Sequence, residues 1–138
     1  MTSSEWYKQA FYRVSLKALI RNDKNQILMV QEKKGDFSLP GGGWDYEEDL
    51  HTAIERELFE EIAPTSSFTE EVITAISFYN PSKEAWQMWV ACDISYEHLE
   101  YGVGEDAEAV KWVNEDEIDL ATLSGKLIQQ VLEVKKTK

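Results

Sequence analysis

Apolar and polar residues alternate along the first part of the chain, as expected of β-strands. Over residues 11–20 every second position is apolar, which predicts a half-buried strand. Residues 22–25 are Asn, Asp, Lys and Asn, a composition typical of a turn, and the apolar run at 26–31 predicts a second strand. These two strands are expected to form a hairpin.

The chain after the second strand predicts one loop and one helix. Residues 33–43 contain four glycines and one proline, which indicates a loop. Leu50, Ile54 and Leu58 then recur at four-residue intervals, so a helix through them would bury a single stripe of its surface.

The second half of the chain predicts three further strands and a closing helix. Strands are expected at 71–79, 85–94 and 109–114, with an acidic loop at 97–108. The middle strand is expected to place one set of apolar residues on a single face: Trp86, Met88, Val90, Cys92 and Ile94. The helix is expected at 120–136, with five residues turned inward: Leu123, Leu127, Ile128, Val131 and Leu132.

Length and composition indicate one domain over residues 1–138. A chain of 138 residues with 43% hydrophobic content can bury one core, and strands mixed with two substantial helices favour an α/β (α+β) layered fold. The single cysteine, Cys92, cannot form an internal disulfide, and no apolar run approaches the ~18 residues that span a membrane. The N-terminus lacks the apolar segment of a secretion signal, so a cytoplasmic location is expected.

Net charge narrows the choice of partner. Fourteen basic residues against 26 acidic ones give a formal charge of −12, which opposes binding to polymeric nucleic acid or to anionic membranes. A small phosphorylated substrate can still bind if a metal ion neutralises it. The charge therefore fits a metal-dependent reaction, although acidity also serves solubility.

Three glutamates are concentrated near the end of the predicted helix. Glu57, Glu60 and Glu61 stand at i, i+3 and i+4, so a helix directs all three to one side. A like-charged i,i+4 pair costs roughly 0.2–0.5 kcal/mol, and carboxylates near a helix C-terminus oppose its dipole. A bound divalent cation would reverse both effects. The alternative is a solvated acidic face, in which Arg56 partly offsets the charge of Glu60.

The spacing around these glutamates resembles a family signature. That signature is Gly, five residues, Glu, seven residues, Arg-Glu, an aliphatic residue, any residue, Glu-Glu, any residue, Gly and an aliphatic residue. Residues 42–64 match it at seven positions: Gly42, Glu48, Arg56, Glu57, Leu58, Glu60 and Glu61. Leu39, Pro40 and Gly41 directly precede this stretch. The chain thus resembles the Nudix hydrolases, whose fold is a mixed β-sheet sandwiched between α-helices.

The resemblance also bears on both ends of the helix. The family's helix begins after the first glutamate of the signature, so Asp49 is expected to cap it rather than Asp45. Ala63 and Pro64 depart from the signature's final glycine and aliphatic residue. Because a residue before proline favours extended geometry, the helix is expected to end near Ile62 without a left-handed residue.

The family assigns roles to the matching residues. It implies that Glu57, Glu60 and Glu61 bind Mg²⁺ or Mn²⁺, together with the backbone carbonyl of Gly41. The general base varies across the family; the order of preference here is Glu61, then Glu57, then an acid of the 105–108 loop. From that loop Glu105 and Glu108 are the candidates, with a solvated acidic loop as the alternative. Arg56 and Glu48 resemble the family's structural pair.

Substrate-binding residues are less specified by the pattern. Many relatives carry an arginine at the end of the strand before the signature, whereas this chain has Gln31 and Glu32 followed by Lys33 and Lys34. Those two lysines are candidates for the outer phosphates, with surface placement as the alternative. Four aromatic residues could stack a nucleobase, although core packing or plain surface exposure is the more common role for such residues: Phe37, Trp44, Tyr79 and Trp89.

The resulting hypothesis is a Mg²⁺-dependent hydrolase that cleaves the pyrophosphate bond of a nucleoside diphosphate linked to another moiety X. A catalytically silent Nudix-fold module that senses a nucleotide or binds a protein is the main alternative. An acidic calcium-binding module ranks lower, because the Asp-rich loop of such proteins is absent from the sequence. Homodimers are common in the family, and the oligomeric state is left open.

Overall fold

The computed structural model describes residues 11–32 and 35–137. Within these ranges the chain forms seven β-strands and two α-helices, followed here in chain order: β1 (Arg13–Leu19), β2 (Ile27–Gln31), β3 (Phe37–Ser38), β4 (Gly41–Gly43), α1 (Leu50–Ile62), β5 (Phe68–Asn80), β6 (Ala85–Tyr96), β7 (Ala109–Val113) and α2 (Leu123–Lys136). A short 3₁₀ helix, Glu115–Glu117, precedes α2. The predicted α+β class is confirmed. Across the described ranges no helix combines the length and apolar character that crossing a membrane requires.

The strands are divided between two sheets. One has the order β4-β1-β6-β5 and the other β3-β2-β7. β1 runs parallel to β6, with Leu16 opposite Val90, and the other pairs are antiparallel. The short strands β3 and β4 lie within the stretch that the sequence predicted to be a loop.

The predicted hairpin between the first two strands is wrong. The turn between them exists, since the Asn22 side-chain oxygen accepts hydrogen bonds from the backbone N–H groups of Lys24 and Gln26. Beyond a single bridge between Arg21 and Ile27, however, the two strands enter different sheets. Both edges of β1 are taken by β4 and β6, so β2 has no edge of β1 left to pair with.

Strand β6 separates two apolar clusters. Trp89 and Ala91 pack in the cluster that includes the buried face of α2, whereas Cys92 and Ile94 pack in the cluster that includes the buried face of α1. The sequence predicted only the second of these faces, because both faces of this strand are covered. Trp86, which was expected to share this apolar face, is 53% exposed at the start of the strand.

Helix α2 is shorter at its start than predicted. It begins at Leu123, and the Thr122 side chain caps it by accepting a hydrogen bond from the N–H of Gly125. Leu123 is exposed rather than inward, while the other four predicted core residues of this helix are buried.

Helix α1 begins and ends where predicted, at Leu50 and Ile62, but the conformation of the residue that follows it differs from the prediction. Asp49 is its N-cap, and its carboxylate accepts a hydrogen bond of 2.8 Å from the N–H of Thr52. Ala63 adopts the left-handed conformation, with φ 41° and ψ 58°, so the prediction of an exit without a left-handed residue is wrong. Its N–H donates to the carbonyls of Leu58 and Phe59, which offsets part of the roughly 1–2 kcal/mol that this conformation costs.

Candidate active site

The signature carboxylates, Glu57, Glu60 and Glu61, lie on the side of α1 that faces the β-strands. Ile54, Leu58 and Ile62 anchor this helix in the core, and the neighbouring positions one turn apart carry the glutamates to the edge of the buried face. Glu57 is 8% exposed and Glu61 only 2%, whereas Glu60 is half-buried. All three line a cavity of about 400 Å³, called here the carboxylate cavity, with four other residues: Glu32, Gly42, Gly43 and Asp106.

Glu61 is the most enclosed carboxylate of the site. The backbone N–H of Gly41 donates a hydrogen bond to its Oε1, while burial raises the pKa of Glu61 to about 8. Gly41 has a φ of 140°, and a Cβ there would lie 1.8 Å from the backbone oxygen of Leu16. Only glycine fits this close approach to β1, so the strand pairing places the N–H that holds Glu61.

Glu57 faces the next glycine. A Cβ on Gly42 would lie 2.6 Å from Oε2 of Glu57, so the absent side chain makes room for the carboxylate. Burial raises the pKa of Glu57, although Arg56 Nη1 donates to its Oε1 at 2.8 Å and opposes that shift.

Arg56 joins the helix to the glycine loop. Its Nε and Nη2 each donate to one oxygen of Glu48 at 2.7 Å, and Nη2 also donates to the carbonyl of Gly43 at 3.0 Å. The hydrogen bonds to Glu48 are the main reason that the pKa of Arg56 is raised. The guanidinium is therefore occupied by protein groups, as expected of a pair that orients the loop.

Two charged residues of the site were missed by the sequence reasoning. Lys17, on β1, and Glu32, after β2, line a second cavity of about 360 Å³, called here the inner cavity. Glu32 and Glu61 line both cavities, so the two adjoin. Burial lowers the pKa of Lys17, and the nearby charge of Glu61 and then Glu32 opposes that shift. The sequence pattern placed Lys17 only on the polar side of a strand and gave no signal of this cavity.

The acidic loop reaches the site through a residue that was not singled out. All three acids of the 105–108 loop are exposed, but Asp106 lines the carboxylate cavity, whereas Glu105 and Glu108 do not. The loop is held in place by backbone hydrogen bonds to the last turn of α1, including one of 3.0 Å from Asp106 N–H to the Glu60 carbonyl. Such backbone contacts carry no side-chain signal in the sequence.

The predicted substrate-binding aromatic residues are dispersed. Trp89 is 5% exposed and packs edge-to-face on Phe78, but it also lines the inner cavity. Trp44 packs against the core near α1 and donates its indole N–H to the Glu48 carbonyl at 2.8 Å. Phe37 lies beneath the ammonium of Lys111, and Tyr79 contacts Trp86 at the surface; neither lines the two cavities of the site. Lys33 and Lys34 lie outside the described residues.

The side chains of Glu57, Glu60 and Glu61 do not surround one common point. Among residues 11–32 and 35–137, no three side chains of His, Cys, Asp or Glu are grouped closely enough to hold a metal ion as they stand. Arg56 engages Glu57 and the Gly41 N–H engages Glu61, so the two buried carboxylates have separate partners. The assignment of Glu57, Glu60, Glu61 and the Gly41 carbonyl as metal ligands remains a prediction.

Comparison with known proteins identifies the family. A family model described as the NUDIX domain matches residues 11–131. A MutT protein from Methanosarcina mazei Go1 shares the fold with a TM-score of 0.73 at 22% identity, covering 91% of this chain and 96% of that one. An ADP-ribose pyrophosphatase from Streptococcus suis 89-1591 does so with a TM-score of 0.65 at 20% identity, covering 91% and 92%.

A sequence relative matches a shorter stretch. An RxLR effector protein from Phytophthora infestans (strain T30-4) is 53% identical over 45 residues, which are 29% of this chain and only 17% of that protein. The match to the family model extends over most of the chain, and four of the signature residues line the carboxylate cavity: Gly42, Glu57, Glu60 and Glu61. This chain belongs to the Nudix family.

Proposed function

We propose that this protein is a divalent-metal-dependent hydrolase that cleaves the pyrophosphate bond of a nucleoside diphosphate linked to another moiety X. The observation that carries the proposal is the pair of buried carboxylates, Glu57 and Glu61, which both line the carboxylate cavity, with Glu61 also lining the inner cavity. The carboxylate cavity is suited to a metal-bound diphosphate, and the adjoining inner cavity has room for one of the groups that flank it. The likeness to an ADP-ribose pyrophosphatase supports a substrate of this class.

The donor set suits a hard divalent cation. Carboxylate oxygens are the ligands that Mg²⁺ and Mn²⁺ prefer, and buried carboxylates are costly unless a positive charge accompanies them. Glu57, Glu60 and Glu61, with the carbonyl of Gly41, would hold the ion. When bound, the ion would neutralise phosphate oxygens and lower the pKa of a bound water.

The residues of the chain would then position the reactants and accept a proton. A water molecule attacks one phosphorus, the bond to the bridging oxygen breaks, and that oxygen leaves as part of the second phosphate. Glu61 is the preferred general base and Glu57 the second choice, since both are enclosed beside the cavity. Asp106 is the acid of the 105–108 loop best placed to assist, ahead of the predicted Glu105 and Glu108. Arg56 keeps the loop and helix aligned.

The test is hydrolysis of a panel of Mg²⁺-supplemented substrates with product identification. The panel should contain ADP-ribose, nucleotide sugars, dinucleoside polyphosphates and nucleoside triphosphates. Glu61→Gln is expected to lower kcat by about 100-fold or more, the usual range for loss of a general base. Glu55→Gln is the matched control, because Glu55 lies exposed on the same helix and should leave turnover unchanged. Equal turnover by wild type and Glu61→Gln would refute the assignment.

The catalytically silent module is the competing function. It is favoured by the separate partners of Glu57 and Glu61, which leave the carboxylates ungrouped. Measurable binding of Mg²⁺ and of a nucleotide, with no turnover anywhere on the panel, would support this alternative.

The protein's setting also forms part of the proposal. A buried, unpaired Cys92 fits the reducing cytoplasm, and the net charge of −12 fits a small phosphorylated ligand rather than nucleic acid or a membrane. Residues 1–138 are proposed to act as one domain, and a homodimer, common in the family, is tested by light scattering of the purified protein.

A further inference from the structure

Lys17 lies at the boundary between the two cavities. It stands on β1 directly opposite Gly41 in the strand pairing, and the N–H of Gly41 donates the hydrogen bond that holds Glu61. Its side chain is half-buried and lines the inner cavity beside Glu61 and Glu32. Because those two glutamates also line the carboxylate cavity, the ammonium is next to the region where a diphosphate would lie.

The hydrogen-bonding capacity of this ammonium is largely unused by the described residues. A lysine ammonium carries three donors. Its Nζ donates to the carbonyl of Leu39 at 3.5 Å, which is the outer limit of a hydrogen bond, and it lies 5.0 Å from the centre of the Trp89 ring. Both contacts are weak compared with a hydrogen bond to an anion, which is shorter and roughly twice as strong as a neutral one.

The charges of neighbouring residues distinguish Lys17 from the other described cations near the two cavities. Glu61 and Glu32 stabilise its charge while it is buried, whereas the guanidinium of Arg56 is occupied by Glu48. The inner cavity has one further lysine in its lining, Lys83, at an exposed position. An anionic group that reaches the buried end of the inner cavity would therefore contact Lys17 rather than Lys83.

We propose that Lys17 binds a phosphate oxygen of the substrate diphosphate at the boundary between the carboxylate cavity and the inner cavity. This inference rests on the proposed function and adds a substrate-binding residue to it. It also accounts for the acidic Glu32 at the end of the segment where many relatives carry an arginine, since the cation is supplied from β1 instead.

The opposing explanation is that Lys17 serves only as a counter-ion for Glu61 and Glu32. The two roles differ in what the loss of the ammonium does to metal and to phosphate. Without Lys17 the carboxylates lose a competing cation, so Mg²⁺ alone should bind at least as tightly under either explanation. Only a phosphate contact predicts that the diphosphate becomes weaker while the metal does not.

The experiment is calorimetric titration of the full chain with Mg²⁺ alone, and with methylenediphosphonate in saturating Mg²⁺. This probe is a diphosphate analogue that cannot be hydrolysed. Lys17→Met removes the charge at similar size, and Lys126→Met, at an exposed position of α2, is the matched control. Lys17→Met is expected to bind the diphosphonate about 10- to 100-fold more weakly than wild type and to bind Mg²⁺ no more weakly.

A second measurement keeps the inference testable if Lys17→Met does not fold. Reductive methylation of wild-type protein, followed by mass spectrometry, should label Lys17 more slowly when Mg²⁺ and methylenediphosphonate are both present than with Mg²⁺ alone, while labelling of Lys126 is unchanged. Unchanged diphosphonate affinity in Lys17→Met, or labelling of Lys17 that is no slower, would overturn the role of Lys17.

If wild type hydrolyses the panel and Lys17→Met does so with the same KM, only this inference fails. Wild type that neither binds the diphosphonate nor hydrolyses any substrate contradicts the proposed function as well.

Discussion

The backbone N–H of Gly104 donates a hydrogen bond to the carbonyl oxygen of Glu61 at 2.8 Å. Two neighbouring N–H groups act in the same way, that of Gly102 on the Ile62 carbonyl and that of Asp106 on the Glu60 carbonyl. The last carbonyls of a helix have no partners within the helix, so this loop supplies them. The acidic loop therefore fixes the helical turn that carries two of the signature glutamates.

Gly104→Ala is expected to destabilise the protein by about 1–3 kcal/mol, the usual cost of forcing extra atoms into a packed site. A Cβ at this position would lie 2.3 Å from the carbonyl oxygen of Glu60, so the loop would have to move away from α1. Urea denaturation of the metal-free protein measures the effect. Gly102→Ala is the control, because a Cβ there meets nothing within 4 Å. Equal stability of the two variants would show that the loop does not hold the helix end.

The pair Arg56 and Glu48 should show strong coupling in a double-mutant cycle. Their two parallel hydrogen bonds of 2.7 Å are partly shielded from solvent, so Arg56→Gln and Glu48→Gln are expected to be coupled by about 1–3 kcal/mol in the free energy of unfolding. The exposed pair Arg13 and Asp45, at 3.9 Å, is the comparison and should give at most about 0.5 kcal/mol. Coupling of the first pair no larger than that of the second would contradict the bridging role of Arg56.

Glu61→Gln should raise the stability of the metal-free protein while weakening its binding of Mg²⁺. The variant keeps an oxygen that can accept the Gly41 hydrogen bond. At a pH above about 8, where wild-type Glu61 is ionised despite its raised pKa, the variant also removes a buried charge, so the metal-free protein is expected to gain about 1 kcal/mol of stability there. Mg²⁺ at 100 times its Kd should stabilise wild type by about 2.7 kcal/mol and the variant by far less. Thermal melts in EDTA and in Mg²⁺ provide both quantities. Loss of stability in EDTA would mean that the charge of Glu61 is compensated within the protein.

The sequence predicted the elements whose signal is local. The buried stripe of α1 follows from neighbours a few residues apart, and the N-cap at Asp49 was implied by the family signature; both are confirmed. The partition of β1 and β2 into separate sheets could not be predicted in this way, because it depends on which strands occupy the edges of β1. β4 and β6 lie far from each other along the chain, and no local pattern reports that both pair with β1.

The active site likewise contains residues whose roles could be predicted from the sequence and residues whose roles could not. The pairing of Arg56 with Glu48 was implied by the family signature, and the structure confirms it. Lys17 and Asp106 were not singled out, because their importance arises from cavities that form only when distant strands and loops meet. Polar residues on a strand or in an acidic loop are ordinary in a sequence, so composition alone could not distinguish these two from their neighbours.

His51 should make stability depend on pH away from the active site. Its Nδ1 lies 2.7 Å from Oε2 of Glu70, and its ring stacks on Phe68. The pKa of His51 is raised, chiefly by the hydrogen bond to Glu70, with smaller contributions from the charges of Glu70, Glu55 and Asp49. Because the folded pKa exceeds the unfolded value of about 6.5, the stabilisation is complete below that pH and is lost as pH rises through the folded pKa.

Thermal melts from acidic to mildly alkaline pH would measure this effect. The advantage of wild type over His51→Gln should be greatest at the acidic end, and it should stay below about 1 kcal/mol because the side chain is 47% exposed. Glu70→Gln should lose the same pH-dependent part. An advantage that grows toward alkaline pH would contradict the assignment of Glu70 as the partner of the imidazolium.

Ala63→Gly should stabilise the protein, because glycine is the residue that the family signature places here and that the backbone favours. Ala63 holds φ 41° and ψ 58°, a conformation that costs a residue with a Cβ roughly 1–2 kcal/mol, whereas glycine adopts it freely. Glycine also gains more freedom in the unfolded chain, which removes about 0.4–1 kcal/mol of that benefit.

The net gain for Ala63→Gly is therefore expected to be about 0.5 kcal/mol by urea denaturation. Ala53→Gly in the same helix is the control and should cost at least about 1 kcal/mol, because Ala53 is buried in the helix interior. The hydrogen bonds from residue 63 to the carbonyls of Leu58 and Phe59 involve only its backbone, so they should survive the substitution and leave turnover unchanged. A loss of stability in Ala63→Gly would mean that the alanine methyl group contributes packing that outweighs the left-handed strain.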